Sequence, residues 1–379
     1  MAYNIDPPFR EDVAYLLRLS ARQPTLCLEY RVETIYMKHA ILILIMGITV
    51  IFGAELAEGA EKAGTFSFYF ENDLFSYTDR HYTNGIKLSF VSPDLTGYAE
   101  SGRLPDWSLP VVRRLPFINE PGLQRNVALS VGQNMYTPRD IERVELIKDD
   151  RPYVGWTYFG IGLHSKNECR LDSMEIQIGV VGPASFAKET QKTVHELVEA
   201  QRPNGWHNQI KNEPGLAIVY ERKLRFLQAG VSGGVGFDLI PHLGGALGNV
   251  YTYANAGMEA RLGWNIPGDF GKSIIRPAGG SNDPVNAQDP RLSRDNFFGL
   301  YIFAMLDGRA VLRDIFLDGN TFTSSHSVDK KHFVADVGGG IGLIIHRFKL
   351  TYTHVLRTKE FKNQEDDQIF GSISLSFSF

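Results

Sequence analysis

Gln191, His195 and Glu199 follow one another at intervals of four inside Ala184 to Gln201, the one strongly helical stretch of the chain. On a helix that spacing makes a single column, with the carboxylate one turn beyond the imidazole. A histidine beside an acid can take a proton from water, which is general-base chemistry. The same spacing also describes a solvated helix face, so the column alone leaves both readings open.

A second group stands far away in sequence. Asn72-Asp73 ends one alternating segment and Tyr82-Thr83-Asn84-Gly85 begins the next, so a hairpin would bring Asp73 toward Thr83. Odd numbering puts both on the face of Ser67, Tyr69, Lys87 and Ser89, the expected lumen. Asn72, Asp73 and Thr83 offer an amide, a carboxylate and a hydroxyl, hard oxygen ligands of the kind calcium takes. The same residue types are ordinary turn formers, and that alternative stays open. Lys87, Arg139, Lys148 and Arg151 are candidates for holding phosphates, though rim cations also serve simply to solvate loops.

The elements that must position these groups are strands. Phe66, Phe68 and Phe70 alternate with Ser67, Tyr69 and Glu71, and the period of two returns until Ile373, Leu375, Phe377 and Phe379 alternate with serines at the C-terminus. A chain ending on an apolar strand fits an outer-membrane barrel, apolar toward lipid and polar inside, better than a soluble sandwich. About twelve strands are expected, near 64–74, 83–92, 124–134, 152–164, 170–181, 214–223, 226–240, 250–264, 296–316, 329–346, 348–359 and 368–379. The fold class is thus an all-β, transmembrane antiparallel barrel with a short helix in an external connection. With the N-terminus in the periplasm, the external connections become Phe75 to Tyr82, Met135 to Arg151, Gly182 to Glu213, Pro241 to Asn249, Asp318 to Val328 and Phe361 to Asp367. Tight periplasmic turns are expected at Ser165 to Glu168, Arg222 to Arg225 and His346 to Phe348, while 94–122 and 265–295 are long connections at that end.

Met37-Lys38-His39 and the apolar run Ala40 to Phe52 read as an export signal. Residues 37–59 are then the signal peptide, 1–36 an upstream segment outside the exported protein, and 60–379 the barrel domain. A net charge of −4 and 22% charged residues exclude a nucleic-acid binder, and a mean hydropathy of −0.16 excludes a helical membrane protein. Two cysteines, Cys27 and Cys169, provide neither a disulfide framework nor a thiolate zinc site.

The blocks Glu71-Asn72-Asp73, Tyr82 to Gly85, Gly132 to Pro138, Asp150 to Trp156, the His195 helix with Gly205 to Gln209, Pro241-His242 and Gly248-Asn249 stand in an order that resembles the outer-membrane lipid A 3'-O-deacylases. The likeness runs from about residue 64 to the C-terminus. It implies a calcium-dependent esterase on a twelve-stranded barrel, removing the 3'-O-linked acyloxyacyl group of lipid A in the outer leaflet of the bacterial outer membrane. It also implies that Asn72, Asp73 and Thr83 form the metal side, and that Gln191 and His195 lie on the catalytic helix. Glu199 as an orienting acid is an inference from helical spacing alone. Lipopolysaccharide is the expected partner and a monomer the expected state. Two rivals remain: an outer-membrane phospholipase, whose histidine is followed two positions later by serine, a pair none of the ten histidines here makes; and a non-enzymatic pore or adhesin barrel.

Overall fold

A computed structural model describes residues 64–73, 81–95, 105–115, 120–197, 201–230, 233–271, 274–277, 281–293 and 297–379, the side chains of His81, Thr83 and Leu197 excepted. The expected upstream segment, the export signal and Glu199 lie outside the described residues. The chain divides into a barrel unit, residues 60–192 and 201–379, and a second unit of which residues 193–197 are described.

The strands are β1 (Thr65–Asn72), β2 (His81–Val91), β3 (Gln124–Thr137), β4 (Val154–Lys166), β5 (Arg170–Val181), β6 (Glu213–Leu224), β7 (Leu227–Gly230), β8 (Val235–Gly248), β9 (Tyr251–Trp264), β10 (Phe298–Asp314), β11 (Phe333–Ile345), β12 (Phe348–Arg357) and β13 (Gln368–Ser378). Among the described residues three α-helices interrupt them: α1 (Leu109–Val112), α2 (Ala187–Leu197) and α3 (Ile315–Asp318). Every neighbour pairs antiparallel, β1 closes on β13, and β6 closes on β8, so twelve strands form a barrel and β7 is one short extra. Closure matters because a sheet edge in lipid would strand its backbone polar groups without water.

Period-two alternation decides which face each residue takes. Phe159 and Ile161 of β4 and Leu129 and Val131 of β3 are exposed on the outer wall, whereas Ser372, Ser374, Ser376 and Ser378 are fully buried inside. Inside, hydroxyls pair across strands, Thr65 with Ser378 at 3.0 Å and Ser67 with Ser376 at 2.8 Å. At the rim holding both ends of the barrel, Gly64 and Phe379 exchange backbone hydrogen bonds of 3.0 Å. Phe379 stacks there on Phe90 and Phe377, an aromatic girdle. We call this the terminal rim and the opposite one the distal rim.

Two expectations need correction. The expected strand 226–240 is instead β7, a glycine-rich turn and the first part of β8; Gly230 and Gly233 hold positive φ of 116° and 74° and so form the turn where Arg222 to Arg225 was expected. Pro241 to Asn249 is not an external connection. It is the rest of β8, and only Asn249 and Val250 link it to β9. Pro241 had argued for a loop, but it stands where β8 changes partner from β6 (Lys223 with His242) to β7 (Leu227 with Leu239). One extra residue on the far side makes this a bulge-like step, where a missing N–H is tolerated.

The long connection 265–297 does not hang from the terminal rim. Its described parts fold into the lumen, burying Phe270, Ile274, Ile275 and Val285. Ile275 N donates to Glu71 Oε1 at 2.6 Å, and Asn282 Nδ2 to the Tyr69 hydroxyl at 3.0 Å. Asp269 is the hub: Lys349 Nζ is 2.6 Å, Arg261 Nη1 2.8 Å and Arg291 Nη2 3.0 Å from its carboxylate, all fully buried. Removing one member of a buried ion network leaves the others uncompensated, at a cost of about 3–5 kcal/mol. Asp269→Ala is therefore expected to lower by several degrees the temperature at which the detergent-solubilised barrel loses its folded gel mobility. Asp269→Asn should lose less, and unchanged melting of the alanine variant would show that the network does not hold the plug.

Candidate functional site

The outer wall at the distal rim departs from the lipid-facing pattern. Continuing the outward alternation of β3 and β4 past Val131 and Phe159 reaches Gln133, Met135, Thr157 and Gly155, and there the wall is covered by protein. Ser185 O, just before α2, accepts from Gln133 Nε2 and from Thr157 Oγ1, each at 2.7 Å. Gly155 is required by this seat, since a Cβ there would come within 2.3 Å of Ala187 Cβ and 2.1 Å of Ser185 Oγ. Met135, Tyr153, Ala187 and Trp206 make a buried cluster, with the Tyr153 and Trp206 ring centroids 5.0 Å apart. The start of α2 is thus pinned to the outside of the wall and not over the lumen.

Gln191, one turn further along α2, is buried, and its Oε1 accepts from Trp206 Nε1 at 2.6 Å. Its Nε2 is buried and has no hydrogen-bond partner among the described residues. The indole fixes the amide so that a donor is left over. Trp206 as the residue that orients Gln191 was not singled out from sequence; the Gly205-Trp206 block was visible, but nothing in spacing links it to Gln191. His195 is buried and follows Gln191 by four residues on the same helix. The observed helix, Ala187–Leu197, is shorter at its start than the expected Ala184 to Gln201, because Pro183–Ser185 forms a separate tight turn and Phe186 takes a positive φ of 58°.

On the metal side, Asn72 pairs in register with Asn84, and Asn84 with Met135 of the cluster under α2. Phe66, Phe68 and Phe70 mark the outward face of β1, which makes Asn72 outward too, while Gly85 and Lys87 mark the inward face of β2 and leave Asn84 outward. Asn72, Asp73 and Asn84 are all buried. The β2–β3 register slips between Tyr82 and Asn84, so Thr83 is the extra residue of a bulge. Alternation reverses there: Tyr82 turns inward, its hydroxyl donating to Glu71 Oε2 at 2.8 Å, and the odd-number rule that put Thr83 on the lumen face does not carry across. Asn84 Oδ1 is a buried acceptor with no hydrogen-bond partner among the described residues. A buried amide oxygen without a donor is costly unless a cation takes it. Two amide oxygens and a carboxylate with no thiol are oxygen ligands that fit calcium. Asn84 is the ligand candidate that sequence reasoning passed over, since the metal side was expected on the lumen face and parity puts Asn84 on the outer one.

The four cations separate into two pairs. Lys87 is buried in the lumen 4.0 Å from Glu175, and Arg151 is fully buried, donating to Glu360 at 2.9 Å beneath Tyr136 and Phe361. Neither is a rim cation, because burial of a charge demands a local partner and each has found one. Burial raises the Glu360 carboxyl, but the Arg151 and Arg357 guanidiniums outweigh it and hold the group below the usual carboxylate range. Arg139 and Lys148 are exposed at the distal rim, Arg139 paired with Glu365.

The family model for outer membrane protein LpxR matches residues 41–379. The chain belongs to this family. Its fold matches LpxR from Salmonella typhimurium with a TM-score of 0.64 and 19% identity, over 83% of this chain and 99% of that one. The β domain of the Bordetella autotransporter BrkA and the NanC porin also align, at TM-scores of 0.39 and 0.31 and identities of 9% and 6%, covering 84% and 83% of this chain and 100% and 98% of theirs. No curated protein sequence matches. The LpxR family and the closed barrel place the protein in the bacterial outer membrane.

Gly155→Val should force Ser185 and Ala187 off the wall. We expect trypsin to cleave after Lys188 and Lys192 about tenfold faster in the folded variant, since local opening governs cleavage of a seated helix. Mass spectrometry of the early fragments checks it; equal rates would show that Gly155 does not set the seat.

Proposed function

We propose that this LpxR-family barrel is a lipid A 3'-O-deacylase, hydrolysing the 3'-O-linked acyloxyacyl ester at the outer leaflet with calcium as its cofactor. The observation that carries the reading is the covered polar patch on the outer wall. It leaves Gln191 Nε2 and Asn84 Oδ1 buried without partners among the described residues, on the lipid-facing side of the barrel, where an acylated substrate would arrive.

In this reading His195 takes the proton from water as it attacks the ester carbonyl carbon, then returns it to the departing sugar oxygen. Gln191, held by Trp206, offers its free N–H to the water or to a substrate oxygen. Asn72, Asp73 and Asn84 would hold calcium, with Thr83 beside them in sequence; when bound, the ion supplies the positive charge that polarises the carbonyl and favours the oxyanion. Arg139 and Lys148 are the exposed cations available to lipid A phosphates. The pore alternative is disfavoured by the lumen, which the 265–293 segment and its ion pairs cross.

The test is release of the 3'-linked acyl chain from lipid A in detergent, after a heat-shift gel has shown each variant folded. His195→Asn should lower release about a hundredfold or more, the scale of a lost general base. Trp206→Phe keeps the ring but loses the bond to Gln191 and should reduce turnover about tenfold with little change in folding. Chelation should abolish release and calcium restore it, with Asp73→Ala not restorable. Near-normal release by folded His195→Asn would overturn the mechanism, and absence of release by active-site-intact protein would overturn the substrate.

A further inference from the structure

Pro241-His242 stands among the sequence blocks that mark the family, yet it takes no part in the site at the distal rim. His242 lies on β8 beside the seam that closes the barrel, paired in register with Lys223 of β6 on one side and Gly257 of β9 on the other. It faces inward, and a Cβ on Gly257 would come within 2.6 Å of its ring, so glycine is what lets the imidazole lie flat against the neighbouring strand. Nε2 is 2.7 Å from Asp307 Oδ2 of β10. Asn255 Nδ2 donates both to that oxygen, at 3.2 Å, and to Glu221 Oε2 of β6, at 3.3 Å, aiming two carboxylates at one point. Glu221, His242, Asn255 and Asp307 are all buried, and one ligating atom from each of Glu221, His242 and Asp307 falls within 4.8 Å of the others.

Two carboxylates and an imidazole packed so closely offer a nitrogen and oxygen donors to a single ion. Two cations border the carboxylates: Lys223 Nζ is 3.7 Å from Glu221 and also donates to Phe270 O and Ser281 Oγ of the plug. Arg309 Nε is 4.0 Å from Asp307, while its Nη2 bonds to Asp336. We propose that Glu221, His242 and Asp307 form a second metal site, inside the barrel wall, for a divalent ion of the zinc class. The imidazole distinguishes it from the all-oxygen patch at the rim, since nitrogen ligands favour zinc, nickel or copper over calcium. Asn255 serves as the outer partner that holds both carboxylates in place. Such an ion ties β6, β8 and β10 together across the seam where β8 changes partner, so its role is to lock closure. A lumen cavity of about 60 Å³ is lined by Arg309, whose Nε is 4.0 Å from Asp307, and gives room for a few waters on that side of the arginine.

The experiment uses tag-free, chelator-treated full barrel in detergent with excess calcium present, titrated with zinc sulfate by calorimetry. Wild type should bind one zinc per chain at this site and lose folded gel mobility at a higher temperature once loaded. His242→Gln, Asp307→Asn and Glu221→Gln should each weaken that binding about tenfold or more, whereas Asp73→Asn should leave it unchanged. Wild-type crystals soaked in zinc provide a measurement that needs no variant: an anomalous peak among Glu221, His242 and Asp307 supports the site. No peak there, no zinc bound by wild type, or equal affinity in folded His242→Gln would overturn the proposal.

Discussion

The whole molecule depends on satisfying backbone hydrogen bonds in a medium that offers none. Lipid cannot pair with an exposed N–H or C=O, so every strand must have a neighbour on both sides. β1 and β13 meet that demand along the full length of β1, from Thr65 against Ser378 to Asn72 against Gly371. The other closure is less regular: β6 pairs with β8 only from Ala217 to Lys223, after which β7 takes over the same edge. A proline and a bulge-like step fall at this handover, which makes the β6–β8 seam the place where extra ties across the wall have the most to contribute.

Closure also creates a lumen that has to be filled, and much of what fills it here is charge. Asp269 at one level and Asp336 at another each collect three cations, Asp336 from Arg276, Arg309 and Arg357. Several of these cations come from strands and others from the 265–293 segment, so the plug and the wall share their charges. Buried ion pairs of this kind add little net stability over apolar packing, yet breaking one is costly, and that asymmetry makes them good for fixing position. The plug reaches Glu71, the neighbour of Asn72, through the backbone of Ile275. Lumen order and the edge of the polar patch are therefore mechanically continuous along β1.

Alternation made the barrel legible in the sequence. The run of serines against Ile373, Leu375, Phe377 and Phe379 fixes both faces of β13, and ten of the eleven remaining expected segments coincide with strands. Legibility stopped where the rule is broken by a single residue. The Thr83 bulge reversed the faces of β2 beyond Asn84 and so hid the inward Tyr82. Pro241 looked like a loop because its tolerance comes from a change of partner two strands away in sequence, which no local pattern records. Lys87 and Arg151 looked like rim cations because a cation's partner, Glu175 or Glu360, is set by the fold; periodicity gives its face and nothing of its company.

In the proposed reading, the position of α2 is what would turn a passive wall into a surface able to do chemistry. A helix over the lumen would meet only solutes that pass the plug, whereas one pinned at Ser185 and Ala187 to the outside of β3 and β4 borders the lipid itself. Covering that strip removes it from hydrocarbon and so permits polar residues at positions where strand alternation would otherwise require apolar ones. Asn72, Asn84, Gln133 and Thr157 all occupy such positions. The exchange has a physical price in desolvation, which Gln133 and Thr157 recover through hydrogen bonds to Ser185 O at the start of the helix, and which Asn84 Oδ1 and Gln191 Nε2 do not recover from any described residue. An unrecovered donor on the helix and an unrecovered acceptor on the wall are the two kinds of group that, in the proposed reading, an ester, a water molecule and a cation would together satisfy, so the packing that shields the patch from lipid would also keep it ready for a substrate drawn from lipid.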